Sequence, residues 1–188
     1  MDGPTALIPL FHRRWSIPVI AQLHRARGDR FASMVHRLEV GRSTLRETLE
    51  ELMEMGLVMP NPGYGHPLRP EYILTERGRE LGAPAERLIG AIDESCGQDL
   101  ALRKWTIPIM SALLDGARRF SALRKALTGV TDRALAQALK QMEAGGLIRR
   151  EIEDRYPPAP VYTLAPGLET LVAAVRRLVR AALRVEGG

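Results

Sequence analysis

The sequence predicts a mostly α, α+β chain with small β-hairpins, built from one module used twice. Three observations predict it. The chain matches itself when shifted by 90 residues. Apolar residues recur at helical spacing in several segments of each half. In each half a third helix stops at a glycine, and a short apolar run, a proline-rich break and a second short run follow.

The repeat is carried by residues that a core and its turns need. Arg13, Trp15, Ile17, Pro18 and Leu23 recur as Arg103, Trp105, Ile107, Pro108 and Leu113. Leu45, Leu49, Gly56 and Leu57 recur as Leu135, Leu139, Gly146 and Leu147. Pro67, Pro70, Tyr72 and Leu74 recur as Pro157, Pro160, Tyr162 and Leu164, and Leu81 and Leu88 as Leu171 and Leu178. The register slips by one between Phe31 and Phe120, then recovers. A long-period match signals one structural unit used again. The expected division is residues 1–92 and 93–188, where Asp93, Glu94, Ser95 and Gly97 interrupt the apolar pattern.

In the first unit, Leu7, Ile8 and Leu10 suit a short docking helix. Ser16 is expected to cap a helix running to about Arg25, with Pro18 tolerated in its first turn and Trp15 stapled onto Ile20. Gly28-Asp29 reads as a turn. Phe31 to Leu38 fits a second helix, with Phe31, Met34, Val35 and Leu38 inward. Thr44 and Glu47 suggest a capping box for a third helix ending at Gly56. Leu57–Met59 and Glu71–Leu74 read as strands flanking an irregular stretch that holds Gly63, Gly65 and His66. Thr75 should cap a last helix through Ile92, with Glu76 in its first turn.

The second unit repeats this order. A helix runs from the Trp105-Thr106-Ile107-Pro108 entry to Leu114, and another starts at Arg119-Phe120. Thr131 or Asp132 caps the third. On it Leu135, Leu139 and Met142 form one apolar stripe. Arg133, Gln137 and Lys140 fall on the other side, within about 60° of one another at 100° per residue. Gly145 and Gly146 end the helix. Strands follow at Leu147–Glu153 and Val161–Leu164, with Arg155 at the apex between them. Leu168 to Leu183 keeps helical spacing, with Arg176, Arg177, Arg180 and Arg184 on the opposite face. The apolar stripe there is wide enough to pack against the first unit's last helix, a second chain, or both. Three helices, a hairpin and a returning helix make the winged helix-turn-helix order, so two tandem winged helix-turn-helix domains are expected.

The stretch from Arg103 to Arg150 resembles the HxlR-type winged-helix transcriptional regulators, within the wider MarR-like group. The shared motifs are Lys104-Trp105-Thr106 before the first core helix, Arg119-Phe120 before the second, Leu135 after the recognition cap, and Gly146-Leu147-Ile148 before the wing. Pro70 to Gly78 in the first unit resembles the family's wing exit. The resemblance covers residues 11–90 and 101–182. It implies a DNA-binding regulator from a group that usually carries one such domain per chain and dimerises. Some members sense electrophiles or oxidants through a cysteine ahead of the Lys-Trp motif. Cys96 lies closer to that motif, and Ala6 stands at the matching place in the first unit. A buried or idle thiol is the expectation for Cys96.

Charge and chemistry narrow the function. The chain has 188 residues, 45% of them apolar, and a net charge of +5, which favours an acidic partner such as nucleic acid. No apolar run reaches membrane-span length and no leader pattern is read, so a cytoplasmic protein without membrane contact is expected. Cys96 is the single cysteine. His12, His24, His36 and His66 form no metal-ligand pattern, and there is no phosphate loop or nucleophile elbow. No enzyme, metal or cofactor is expected.

The expected partner is double-stranded DNA, read by the second domain. Thr131 stands at the helix entry. Arg133, Gln137 and Lys140 would enter the major groove, and Arg149, Arg150 and Arg155 would neutralise phosphates. In the first domain Ser43, Glu47 and Glu50 replace the three readers and Glu54 extends the row, so only weak backbone contacts from Arg42 and Arg46 are expected. That domain would supply a pseudo-dimer interface or hold a small-molecule effector. The chain would act as a monomeric pseudo-dimer or a homodimer through its C-terminal helix. The competing reading is an interaction or ligand-binding protein that kept the scaffold and lost DNA readout.

Overall fold

A computed structural model describes residues 2–63, 71–154 and 158–187. The first repeat comprises α1 (Gly3–Leu7), a 3-10 turn (Pro9–Phe11), α2 (Ser16–Ala26), β1 (Asp29–Arg30), α3 (Phe31–Arg37), α4 (Arg42–Glu54), β2 (Val58–Pro60), β3 (Glu71–Leu74) and α5 (Glu76–Ser95). The second comprises α6 (Gln98–Ala101), α7 (Thr106–Leu114), α8 (Phe120–Ala126), α9 (Asp132–Ala144), β4 (Ile148–Glu153), β5 (Ala159–Leu164) and α10 (Glu169–Gly187). Each repeat is a winged helix-turn-helix. The first sheet has the antiparallel order β1-β3-β2, and the second pairs β4 with β5 from Ile148↔Leu164 to Glu153↔Ala159. In the second repeat an isolated bridge, Arg119↔Val161, takes the place of β1.

Local chemistry explains the boundaries. Gly56 (φ 68°) and Gly146 (φ 72°) hold matched left-handed positions after α4 and α9, where a side chain would be strained. Thr75 Oγ1 accepts from Gly78 N–H at 3.0 Å and caps α5. Gly78 answers a second need: a Cβ there would collide with the carbonyl oxygen of Leu57. That carbonyl already accepts from Thr75 N–H at 3.0 Å, so strand and helix meet backbone to backbone.

Several local expectations give way to tertiary packing. Ser16 does not cap α2; it is buried, and Trp15 occupies the N-cap position without a side-chain bond. The Thr44–Glu47 capping box does not form, because α4 starts at Arg42 behind Gly41 and the Glu47 carboxylate bonds to Arg13. Asp29 begins a short strand instead of completing a turn, since pairing with β3 recruits it. Of the two glycines after α9, Gly145 is right-handed (φ −86°); its missing side chain makes room for Leu100 of α6. Helix α5 runs three residues beyond Ile92, to Ser95. Gly65, His66, Pro67, Pro70 and Pro157 lie outside the described residues.

The repeats share one contiguous core. Leu81, Leu88 and Ile92 of α5 and Leu171, Val175 and Leu178 of α10 are fully buried within it. The two helices run antiparallel. Arg184 Nε lies 3.2 Å from Glu80 Oε2, and Arg77 donates to the Val185 carbonyl at 2.9 Å, so the end of α10 meets the start of α5. Helix α1 crosses to the other repeat and packs on α7 and α10. Among the described residues, no helix is long and apolar enough to cross a membrane.

The Leu57 contact makes Gly78→Ala an overpacking change. The variant is expected to lose roughly 1–3 kcal/mol of stability, read as a lower urea midpoint. An unchanged midpoint would contradict the close approach described.

Candidate nucleic-acid interface

Helix α9 is built as a two-faced rod. Leu135, Leu139 and Met142 are buried on one side. Thr131 is the N-cap, its Oγ1 accepting from Ala134 N–H at 3.2 Å. Asp132 in the first turn suits the positive end of the helix dipole. Arg124 of α8 holds that carboxylate at 2.8 Å and ties the two helices at their junction. The opposite face carries Arg133, Gln137 and Lys140, all exposed. Among the described residues, none of the three is in an ion pair or side-chain hydrogen bond. Their donors point to solvent in a fixed row.

The wing adds charge beside this row. Arg149 and Arg150 are exposed on β4, opposite Thr163 and Tyr162. As strand neighbours they project to opposite faces of the hairpin. Arg119 pairs with Glu153 at 2.5 Å, so the outer end of β4 is tied to the start of α8. Arg155 lies outside the described residues. Two further cations, Arg118 and Lys125, are exposed near the helix-turn-helix and do not figure among the expected contacts. Their signal is present in the basic residues flanking Phe120, but one arginine of that group, Arg124, is neutralised by Asp132.

Helix α4 has a different surface. Arg13 donates from Nη1 to Glu47 at 2.7 Å and pairs through Nε with Glu51 at 2.6 Å. His12 Nδ1 lies 2.8 Å from the other oxygen of Glu51. Burial works against the Arg13 charge, but Glu47 and Glu51 outweigh it and hold its pKa above the usual value. The segment before α2 is thereby clamped to one edge of α4. In the second repeat Gln137 and Gln141 stand where Glu47 and Glu51 do, and Arg103 donates to the Asp99 carbonyl at 3.1 Å. The matching edge of α9 is left open. Ser43, Glu50 and Glu54 are exposed on α4, as are Arg42 and Arg46. Arg42 lies over the Phe31 ring, 5.4 Å from its centroid. Cys96 ends α5 half-buried, and burial pushes its thiol pKa up, away from the reactive thiolate.

Comparison with known proteins places both repeats in one family. The family model described as HxlR-like helix-turn-helix matches twice, over residues 10–99 and 100–184. The chain is 38% identical over 63 residues to the HTH-type transcriptional regulator YtfH of Escherichia coli (strain K12), covering 34% of this chain and 50% of that protein. It is 31% identical over 75 residues to the HTH-type transcriptional regulator YybR of Bacillus subtilis (strain 168), covering 40% of this chain and 60% of the relative. The match thus spans half to three fifths of the length of these relatives. A crystal structure of a MarR-family transcriptional regulator from Enterococcus faecalis V583 is 31% identical, with a TM-score of 0.42, over 52% of this chain and 87% of that one.

The Thr131 cap gives a local test. Thr131→Ala removes the acceptor for Ala134 N–H and should cost about 1 kcal/mol in urea unfolding. Thr131→Ser should restore most of that loss, and equal stability of all three proteins would contradict the capping role.

Proposed function

The chain belongs to the HxlR-like helix-turn-helix family, and from that premise we propose that it is a transcriptional regulator whose second winged helix reads double-stranded DNA. The family is one of helix-turn-helix proteins, not of enzymes. One observation carries the reading: a capped helix, α9, presents Arg133, Gln137 and Lys140 exposed and, among the described residues, unpaired, whereas the matching edge of α4 is acidic and clamped by Arg13.

In this reading α9 lies in the major groove. Arg133 and Gln137 contact purine edges, since their paired donors or donor-acceptor sets suit guanine and adenine. Lys140 adds charge farther along the groove. Thr131 sits where the helix meets the backbone. Arg149 and Arg150 reach phosphates on either side of the hairpin, and Arg155 extends the same contact from the apex. Arg42 and Arg46 make at most weak backbone contacts, because Glu47, Glu50 and Glu54 repel phosphate on the face they flank.

The division into residues 1–92 and 93–188 then separates a supporting unit from a reading unit. The first supplies the second half of a pseudo-dimer, with α5 in the place of a partner's helix against α10. One chain forms the DNA-binding particle. Work in the cytoplasm follows from the same assignment.

The Arg133→Ala, Lys140→Ala double variant should abolish specific binding in a fluorescence anisotropy titration against DNA selected from a random pool. The Arg42→Ala, Arg46→Ala variant should change affinity by less than about threefold, since surface phosphate contacts are individually weak. The reverse pattern would overturn the assignment. Wild-type affinity should also fall linearly in a plot of log K against log salt, with a slope that becomes shallower when Arg149 and Arg150 are replaced by Ala.

A further inference from the structure

The outer side of the α5–α10 seam carries arginines that nothing among the described residues neutralises. The two helices run antiparallel, so facing residues can be followed from the contact between Glu80 and Arg184. Seven residues farther along each helix stand Arg87 and Arg177. These two are also repeat partners, 90 positions apart. The relation between the repeats therefore brings one arginine from each to the middle of the same seam. Both are exposed, as is Arg180 on α10. Among the described residues, none of the three is in an ion pair or side-chain hydrogen bond. Like charges held together repel, and an anion placed between them relieves the cost.

These arginines stand over an apolar groove. One hollow of about 430 Å³ is lined by the small residues Gly90, Ala91, Ala173 and Ala174, and a second of about 340 Å³ lies over Ala83 and Pro84. Arg87 and Arg177 line both, so the hollows join. From Ala83 to Glu94 the groove follows about three turns of α5, roughly 16 Å. Its charge is uneven. Arg180 and Arg184 stand at the Pro84 end, with Arg184 held by Glu80, while Glu94 stands at the other.

The occupant must satisfy both the charge and the apolar lining. A DNA duplex would reach the arginines but leave the lining in water. A second copy seated on the groove by two-fold symmetry would set arginine against arginine. A single inorganic anion would neutralise Arg87 and Arg177 and leave the channel unfilled. A helix with small apolar residues flanked by carboxylates fits both: its ridge enters the groove at close range, and its carboxylates form charge-assisted pairs with the guanidiniums. We propose that this groove docks an acidic amphipathic helix of a partner protein, with its carboxylates on Arg87, Arg177 and Arg180. The proposal is independent of which repeat reads DNA, since none of the three arginines belongs to a recognition helix or a wing.

The probe is a fluorescein-labelled helical peptide of alanine and glutamate, with glutamates at i, i+3 and i+7, titrated with the full chain by fluorescence anisotropy. One counterpart replaces each glutamate by glutamine, and another carries a central proline that breaks the helix. At low salt the acidic helix should bind at least about tenfold more tightly than either. Arg87→Glu should weaken it by a similar factor without lowering the urea midpoint, because the new carboxylate faces Arg177. If Arg87→Glu fails to fold, Arg177→Gln, which removes one charge of the facing pair, should weaken binding in the same direction. Arg27→Glu, the same charge change at an exposed arginine outside the groove, should alter affinity by less than about twofold. Equal binding of the glutamine or proline peptide would overturn the proposal. So would an equal loss in the Arg133→Ala, Lys140→Ala variant, which would assign the peptide to the α9 face. Self-association that Arg87→Glu abolishes would overturn it too, by assigning the groove to a second copy.

Discussion

Two long helices, α5 and α10, lie antiparallel along a shared apolar seam, and most of the architecture follows from that contact. Each helix belongs to one of the two winged units. Leu81, Leu88 and Ile92 on one side and Leu171, Val175 and Leu178 on the other are fully withdrawn from water. At roughly 1.5–3 kcal/mol for a large apolar side chain, such a set outweighs any ion pair at the seam's exposed edge, including Arg184–Glu80. The packing ties both repeats into one core, so neither half keeps a separate apolar interior. Covalent linkage then makes the contact intramolecular and fixes the ratio of the two wings at one to one.

Duplication within one chain removes a constraint that a symmetric dimer obeys. Two identical subunits must change together; two repeats can diverge. The divergence is chemical and local. Glu47 and Glu51 stand where Gln137 and Gln141 do, and Arg13 has turned to meet them. The scaffold under both faces is the same: Leu45 and Leu49 are buried beneath α4 as Leu135 and Leu139 are beneath α9. The change of surface chemistry on α4 therefore leaves the core intact. The N-terminal helix α1 crosses the joint between the repeats and covers α7 and α10.

Features that depend on neighbours in sequence were legible in the chain. The repeat was legible because core positions and turn glycines recur at a constant offset. The cap at Thr75 was legible because a threonine before a helical stripe has few competing uses; at α9 the sequence left Thr131 and Asp132 as alternatives, and the fold selects Thr131. The supposed caps at Ser16 and at Thr44–Glu47 were not, because distant groups decided them: Ser16 is packed into the core, and Arg13 took the Glu47 side chain. The two-residue strand β1 has no period to detect and exists only through β3. The destination of α1 was equally hidden, since a short apolar helix carries no address. At the candidate interface, the outward row on α9 followed from helical geometry alone, while the Arg124–Asp132 tie and the Arg13 clamp required the fold.

One chain, on this account, makes a complete but unequal pair of wings. The most direct measurement is to select bound duplexes from a random DNA pool and weigh the resulting complexes by native mass spectrometry. The expected result is a site with one defined half and no inverted copy of it, carrying one chain per duplex. A palindromic site with two equally defined halves, occupied by two chains, would contradict it.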